Sequence, residues 1–244
     1  MKELPECTEL GKNGGLQVQK GTSMKYAFAS ENPIFAFDLD GTITTQETLP
    51  ILARELDLMN EMEQLTRLTL EGKIDFEASF RTRYHLLREI PLQKIRQIME
   101  EVHMDEKIAG FIREHAEACV IVTGNLDVWV QPLITKLGCM AYSSTSRLGA
   151  NGELQLETVL DKAETIRRMK MQGYHVIAIG DSVNDIPMFR EADAAIAYGG
   201  VHPLVDRVVE ISDYVVENGE ALCRLLEGLG NGGEHARNLG RQDS

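Results

Sequence analysis

The stretch from Ile34 to Thr42 constrains this chain more than any other. A short apolar run, Ile34-Phe35-Ala36-Phe37, reads as a buried strand. It leads directly into Asp38-Leu39-Asp40-Gly41-Thr42. Alternate side chains of an extended segment share a face, so Asp38 and Asp40 point the same way. Gly41 lets the backbone turn away at once. Two carboxylates held at the mouth of a buried strand repel each other and call for a cation, a shared proton or both. The pattern points to a divalent-metal site with a spare acid/base group. Alone, Asp-x-Asp-Gly is also an ordinary acidic turn, so the remaining motifs decide.

Composition narrows the classes. A chain of 244 residues allows one large domain or a core with a small insert, and a hydrophobic fraction of 43% supports a sizeable core. No apolar run approaches the ~20 residues of a membrane span. The polar, glycine-containing stretch Met1 to Ser30 has no apolar segment of the secretory kind. Cys7, Cys119, Cys139 and Cys223 form no CxxC pair, which fits a reduced, cytoplasmic setting. The net charge of -13 disfavours nucleic acid as a partner. A phosphate site in such a chain must draw local positive charge from a metal, a lysine or backbone N–H groups.

Periodicity divides the chain. Residues 1–32 read as a flexible arm, with Leu16–Val18 as a weak edge-strand signal. A strand covers about 33–40. Helical spacing then runs through 45–105 in four amphipathic pieces, with Asp75 as an N-cap and Pro91 at a helix start. From about 106 the pattern alternates between strand and helix. Strands are expected at 118–123, 140–143, 175–180, 194–197 and 214–216, and helices at 127–137, 162–172, 185–191 and 220–229. Asn151-Gly152 marks a hairpin between Ser146 and Val159. Residues 230–244 read as a flexible tail. The whole predicts an α/β fold: a doubly wound, mostly parallel, Rossmann-like sheet formed by 33–44 and 106–229, with 45–105 as an inserted four-helix cap.

Three apolar strands end in polar clusters: Asp38-Leu39-Asp40, Thr123-Gly124-Asn125 and Asp181-Ser182-Val183-Asn184-Asp185. In open parallel sheets ligands bind beyond the carboxyl ends of strands, so these clusters can converge. Lys162, at the start of the helix before the third of them, can reach the same crevice. Each has an ordinary explanation by itself. A lysine in such a place is usually a solvated surface residue, and Asp181 could cap a turn. Together they supply a nucleophile, an acid/base, metal ligands, a hydroxyl and a cation.

These motifs, in this order, resemble those of the haloacid dehalogenase superfamily of phosphohydrolases: Asp38/Asp40/Thr42, then Thr123, then Lys162, then Gly180-Asp181 with Asp185. Within it the chain is similar to the phosphoserine phosphatases, whose cap sequence looks like Glu71-Gly72-Lys73-Ile74-Asp75-Phe76-Glu77 followed by Arg81-Thr82-Arg83. The resemblance implies Mg²⁺ as cofactor, held by Asp38, the Asp40 backbone carbonyl and Asp181, with Asp185 behind them. All these ligands are hard oxygens, as Mg²⁺ prefers. It implies Asp38 as nucleophile, Asp40 as acid/base, and Thr123 and Lys162 on the phosphoryl oxygens. It places Gly124 and Asn125 at the substrate and Asn184 on the phosphate or a water, with Glu47 on a substrate amino group, Arg83 on its carboxylate and Phe76 over it. The implied partner is a small phosphorylated metabolite, an amino-acid phosphate, with no membrane and no nucleic acid.

The residues themselves leave other roles open for two of these. Arg83 near an apolar helix face either meets an anion or snorkels to water, and Glu47 ahead of a helix can simply favour its dipole. The chain also departs from the family pattern. Thr123-Gly124-Asn125-Leu126 stands where Ser-Gly-Gly-Phe is usual, Ser182 replaces a frequent glycine, and Gly41 stands where serine is common. The alternatives are a phosphatase or phosphotransferase of the same mechanism for another metabolite, and a non-catalytic binding scaffold. No GxxxxGK[ST] or HExxH is present, and the six histidines are scattered.

Overall fold

Phe35, Ala36 and Phe37 are buried on both faces of their strand, as a central strand of a parallel sheet requires. The computed structural model describes residues 16–18, 33–70, 73–150 and 153–230. In chain order the elements begin with β1 (Leu16–Val18), β2 (Ile34–Phe37), α1 (Thr48–Ala53), a 3-10 turn (Arg54–Leu56), α2 (Met59–Leu70), α3 (Phe76–Leu87), α4 (Leu92–Glu101) and α5 (Glu106–Glu114). They continue with β3 (Cys119–Leu126), α6 (Asp127–Leu137), β4 (Met140–Leu148), β5 (Leu154–Thr158), α7 (Lys162–Met171) and β6 (Val176–Gly180). A second 3-10 turn (Val183–Asp185), α8 (Ile186–Glu191), β7 (Ala194–Tyr198), α9 (Asp206–Ile211), β8 (Tyr214–Val216) and α10 (Gly219–Gly230) complete them.

The sheet order is β1-β8-β7-β6-β2-β3-β4-β5. The strands from β8 to β4 are parallel, and β1 and β5 pair antiparallel at the two edges. This is the doubly wound α/β sheet with a helical insertion. The strand order reverses at β2, which pairs β3 on one side and β6 on the other, with Phe37 opposite both Ile121 and Ile179. The three expected polar clusters therefore sit on three adjacent strands. That crevice is where open α/β sheets bind ligands.

Period-two alternation sorts the core. Phe35, Phe37, Ile121, Ile177 and Ile179 face one layer, while Ala36, Val120, Val122, Val176 and Ala178 face the other. The second layer is closed by α7, α8 and α9 through Ile166, Met169, Met188, Phe189 and Val208. The first is closed by α5, α6 and α10, and it is continuous with Leu52, Phe80, Tyr84, Leu87, Ile95 and Met99 of the inserted helices. The insertion thus shares the core of the sheet. Tyr84 of α3 stacks on Trp129 of α6, with ring centroids 6.0 Å apart, and its hydroxyl donates to Leu154 O of β5 at 2.5 Å.

The structure differs from the sequence expectation at several places. Leu16–Val18, expected within a flexible arm, is an edge strand on β8, because the outer rim of β8 presents unpaired backbone groups that a short extended segment can satisfy. The remainder of 1–32, the tail 231–244 and the Asn151-Gly152 turn lie outside the described residues. Gly230, expected in the tail, ends α10. β4 is longer than expected because it continues into the hairpin with β5. Helices α5 and α9 were not anticipated. Asp105 caps α5 by accepting from Lys107 N and Ile108 N, and α9 is only six residues long with Val208 its one buried residue, too little for a helical period to show. Cys119, Cys139 and Cys223 are free thiols, and among the described residues no helix is long and apolar enough to cross a membrane.

The Tyr84 hydroxyl ties the helical insertion to the hairpin. Tyr84→Phe should lower unfolding free energy by about 1–2 kcal/mol, the cost of leaving a part-buried carbonyl without its donor. Urea denaturation checks this, and an unchanged midpoint would show the bond to be dispensable.

Candidate active site

Asp38 follows directly from β2, and its N–H donates to Ile179 O of β6 at 2.8 Å, which locks the start of the loop to the neighbouring strand. Gly41 adopts φ +73°, and a Cβ there would lie 2.5 Å from Asp181 Oδ2. Glycine is needed on both counts. A serine at this position would take on the positive φ and push the Asp181 carboxylate aside. Thr42 Oγ1 donates to Asp181 Oδ1 at 3.4 Å. At the end of β6, a side chain on Gly180 would collide with the Asp185 carboxylate. Asp185 Oδ2 accepts from the N–H groups of Asp181 and Ser182, each at 3.0 Å. Ser182, the departure from glycine, caps the following turn by accepting from Asn184 N.

Lys162 is the centre of charge. It is 7% exposed, and its Nζ lies 2.5 Å from Asp38 Oδ1 and 2.6 Å from Asp185 Oδ1. Burial alone would favour the neutral amine, but Asp185 and Asp38 outweigh it and hold the pKa above that of an ordinary lysine. Burial pushes the Asp38 carboxyl well above its usual range, aided by Asp185 and opposed by Lys162. Burial, followed by the charges on Asp185 and Asp38, raises Asp181 to about 9. One carboxylate oxygen from each of Asp38, Asp181 and Asp185 lies within 4.8 Å of the others. Three carboxylates around a single ammonium leave two negative charges unbalanced when all are ionised. The donor set and its surplus charge fit a divalent cation with hard-oxygen preference. Both Asp185 oxygens already carry hydrogen bonds, so Asp38 and Asp181 offer the freer ligand atoms.

Asp40 lies beside this cluster. Its Oδ1 accepts from Thr48 N at 2.8 Å and from Thr48 Oγ1 at 2.5 Å. Thr123 is 1% exposed, and its Oγ1 accepts from Asn125 N at 3.1 Å. These groups border a cavity of about 370 Å³ whose other walls come from the inserted helices and from the loop after β7. Phe76, the first residue of α3, lies against Gly124, where any side chain would displace its ring. Phe76 also stacks on Phe80 at 6.0 Å. Arg83 reaches the cavity and donates to Ser79 Oγ at 2.7 Å and Thr66 Oγ1 at 2.8 Å, both neutral acceptors. Burial lowers its pKa and the charge of Glu47 opposes that shift. Glu47 stands at the cavity mouth with 46% of its side chain exposed, and its Oε1 is 3.7 Å from His202 Nε2. Its carboxyl is raised to about 7, by burial first and then by Asp40 and Asp185, against the pull of Arg83.

The family model for haloacid dehalogenase-like hydrolases matches residues 35–190, and so takes in all four motifs. The chain belongs to that family. Among curated relatives of this hydrolase, the phosphoserine phosphatase of Methanocaldococcus jannaschii is 30% identical over 179 residues, covering 68% of this chain and 84% of the relative. The 2-hydroxy-3-keto-5-methylthiopentenyl-1-phosphate phosphatase of Lysinibacillus sphaericus is 25% identical, covering 68% and 81%. A solved structure of a substrate-bound phosphoserine phosphatase complex superposes with TM-score 0.67 at 26% identity, covering 81% of this chain and 98% of that one. The hydrolase is a phosphoric monoester hydrolase resembling the phosphoserine phosphatases.

Of the residues singled out in the sequence of this hydrolase, Asp38, Asp40, Thr123, Gly124, Lys162, Asp181 and Asn184 line the same cavity as Glu47, Phe76 and Arg83, and Asp185 lies behind through Lys162. Asn125 also borders it, but its amide turns to Asp40 and Thr48 and is not free for a ligand. Sequence reasoning passed over Thr48, Thr66, Ser79 and His202. Thr48 had a readable signal, a hydroxyl residue opening an otherwise apolar helix. The others acquire their place only through folding.

Among the described residues Lys162 is the cation paired within three crowded carboxylates, so Lys162→Met should destabilise the metal-free protein by about 3–5 kcal/mol, the usual result of stripping one partner from a buried ion pair. Urea unfolding in EDTA measures it. A loss below about 1 kcal/mol would show that the carboxylates simply take up protons instead.

Proposed function

We propose that this hydrolase is a magnesium-dependent phosphatase of O-phosphoserine that works through an aspartyl-phosphate on Asp38. The observation that carries the reading is one cavity shared by Asp38 and Lys162 with Glu47 and Arg83. An amino-acid phosphate presents a phosphate, an ammonium and a carboxylate. Lys162 and Thr123 match the first, Glu47 the second and Arg83 the third. Arg83 supports this because its own partners are neutral hydroxyls, which leave its charge available to an anion.

Mg²⁺ held by Asp38, Asp181 and the Asp40 carbonyl would supply positive charge at the phosphoryl oxygens. The remaining steps belong to the chain. A carboxylate oxygen of Asp38 attacks phosphorus, and the ester P–O bond breaks as Asp40 gives its proton to the leaving serine oxygen. Water then attacks the aspartyl-phosphate, passing a proton to Asp40 as the Asp38 O–P bond breaks and phosphate is freed. Thr123, Lys162 and the N–H groups around them hold the phosphoryl oxygens throughout. The helices over 45–105 act as a cap, with Phe76 covering the reacting group and excluding bulk water. This reading implies serine biosynthesis in the cytoplasm. A second reading, the same chemistry on another metabolite phosphate, draws support from the apolar walls of the cavity, Leu49, Pro50, Met62 and Phe80 among them.

Phosphate release from a panel of phosphorylated metabolites, L-phosphoserine included, with Mg²⁺ and with EDTA, tests the reading. Phosphoserine should be the preferred ester and turnover should vanish in EDTA. Asp38→Asn should leave the fold intact and reduce turnover by at least about 10³-fold, since a neutral amide replaces the nucleophilic carboxylate. Appreciable turnover by that variant removes Asp38 as nucleophile, and preference for a different ester selects the second reading.

Glu47 sets a pH dependence. With its carboxyl raised to about 7, it is ionised above that pH and becomes neutral as pH falls through it. Its hold on a substrate ammonium is therefore lost on the acid side. KM for phosphoserine should rise roughly tenfold between pH 8 and pH 6, and Glu47→Gln should show a raised KM without that rise. The same pH profile in both proteins would deny Glu47 contact with the ammonium.

A further inference from the structure

We propose that Asn125 is a positioning residue for Asp40: with Thr48 it reserves Oδ1 of that carboxylate and leaves Oδ2 as the oxygen that carries the proton. The inference rests on the reading of Asp40 as the acid/base. Asn125 is 3% exposed. Its orientation is set by the backbone. Leu126 N–H donates to Asn125 Oδ1 at 2.8 Å, so that atom is the carbonyl oxygen and the amide nitrogen faces the other way. The nitrogen has two hydrogens and two acceptors, Thr48 Oγ1 at 2.6 Å and Asp40 Oδ2 at 3.3 Å. Every polar atom of the side chain is therefore engaged within the protein.

The polarity of the chain of bonds follows. Because Asn125 donates to Thr48 Oγ1, the single hydroxyl hydrogen of Thr48 is directed to Asp40 Oδ1 at 2.5 Å. The N–H of Thr48 donates to the same oxygen at 2.8 Å. Two strong donors fill both lone-pair directions of Oδ1, and a proton placed there would have to displace one of them. Among the described residues Oδ2 receives just the longer bond from Asn125, which leaves it a lone-pair direction for a proton, and Asp40 lines the cavity. In the first half-reaction the Oδ2–H bond breaks as the proton passes to the leaving alkoxide. In the second, a proton from the attacking water returns to Oδ2. Asn125 holds the carboxylate plane in the attitude that both transfers need.

A positioning role makes a particular demand on the leaving group. An alkoxide needs the proton, whereas p-nitrophenolate leaves without one. Asn125→Ala should lower kcat/KM for phosphoserine, or for whichever alkyl phosphate is hydrolysed best, by roughly 10- to 100-fold, part of the effect general acid catalysis contributes. For p-nitrophenyl phosphate the loss should stay below about threefold. Thr48→Val should skew the two esters the same way, and Thr48→Ser, which keeps the hydroxyl, should stay near wild type. Equal losses on both esters in Asn125→Ala overturn the proposal in favour of a structural role. If that variant does not fold, an unskewed Thr48→Val overturns it equally. A wild-type protein that hydrolyses neither ester sinks the phosphatase reading and this inference with it, whereas unskewed variants of an active enzyme sink this inference alone.

Discussion

Three carboxylates gathered around one buried ammonium are the constraint on which the rest of the structure depends. Asp38, Asp181 and Asp185 come from the ends of adjacent strands and the turn that follows one of them. Such a group is tolerable in the middle of a sheet only because Lys162 enters it from the start of α7, bonded to two of the three. Burial first, and then the neighbouring carboxylates, raise the carboxyls of Asp38 and Asp181. The same surplus of negative charge suits the cluster to a cation. The local backbone bends to keep the cluster tight. Gly41 turns with a positive φ against Asp181, and Gly180 admits the Asp185 carboxylate beside its own Cα.

The two sides of the cavity come from different parts of the molecule. The strand ends hold the charged cluster, whereas the inserted helices bring Phe76 and Arg83 and α1 brings Thr48. Their packing is not independent. The insertion shares one core with a face of the sheet, and Tyr84 ties α3 to both α6 and the β4–β5 hairpin. Phe76 sits against Gly124, so the absence of a side chain there sets how closely the insertion approaches the strand ends. A substitution at Gly124 would therefore reach the inserted helices as well as the strand ends.

The departures from the family pattern have local physical reasons. Gly41 is demanded by its backbone angle and by the Asp181 carboxylate. Ser182 closes a capping box with Asp185. Asn125 places an amide between Asp40 and Thr48, where glycine would leave Thr48 free to turn its hydroxyl elsewhere. In each case the change acts on a carboxylate of the site.

The amino-acid sequence by itself determined the alternation of apolar strands with helices, the helical insertion over 45–105 and the order of the polar clusters. These are local properties: strand burial, helical period, caps such as Asp75 and the turn at Gly41 are written in neighbouring residues. It also marked Asp38, Asp40, Thr123, Lys162 and Asp181 as a set. The tertiary structure decided what those residues do to one another. Lys162 read locally is an exposed lysine at a helix start, and it is buried because Asp38, 124 residues earlier, stands opposite it. Asn125 read locally faces a ligand, and it faces Asp40 because Leu126 N–H and Thr48 fix its amide. The pairing of Leu16–Val18 with β8, the burial of Thr48 and the approach of His202 to Glu47 likewise need partners distant in sequence. A hydrogen bond or a desolvated charge is a property of neighbours in space, and only folding supplies those neighbours.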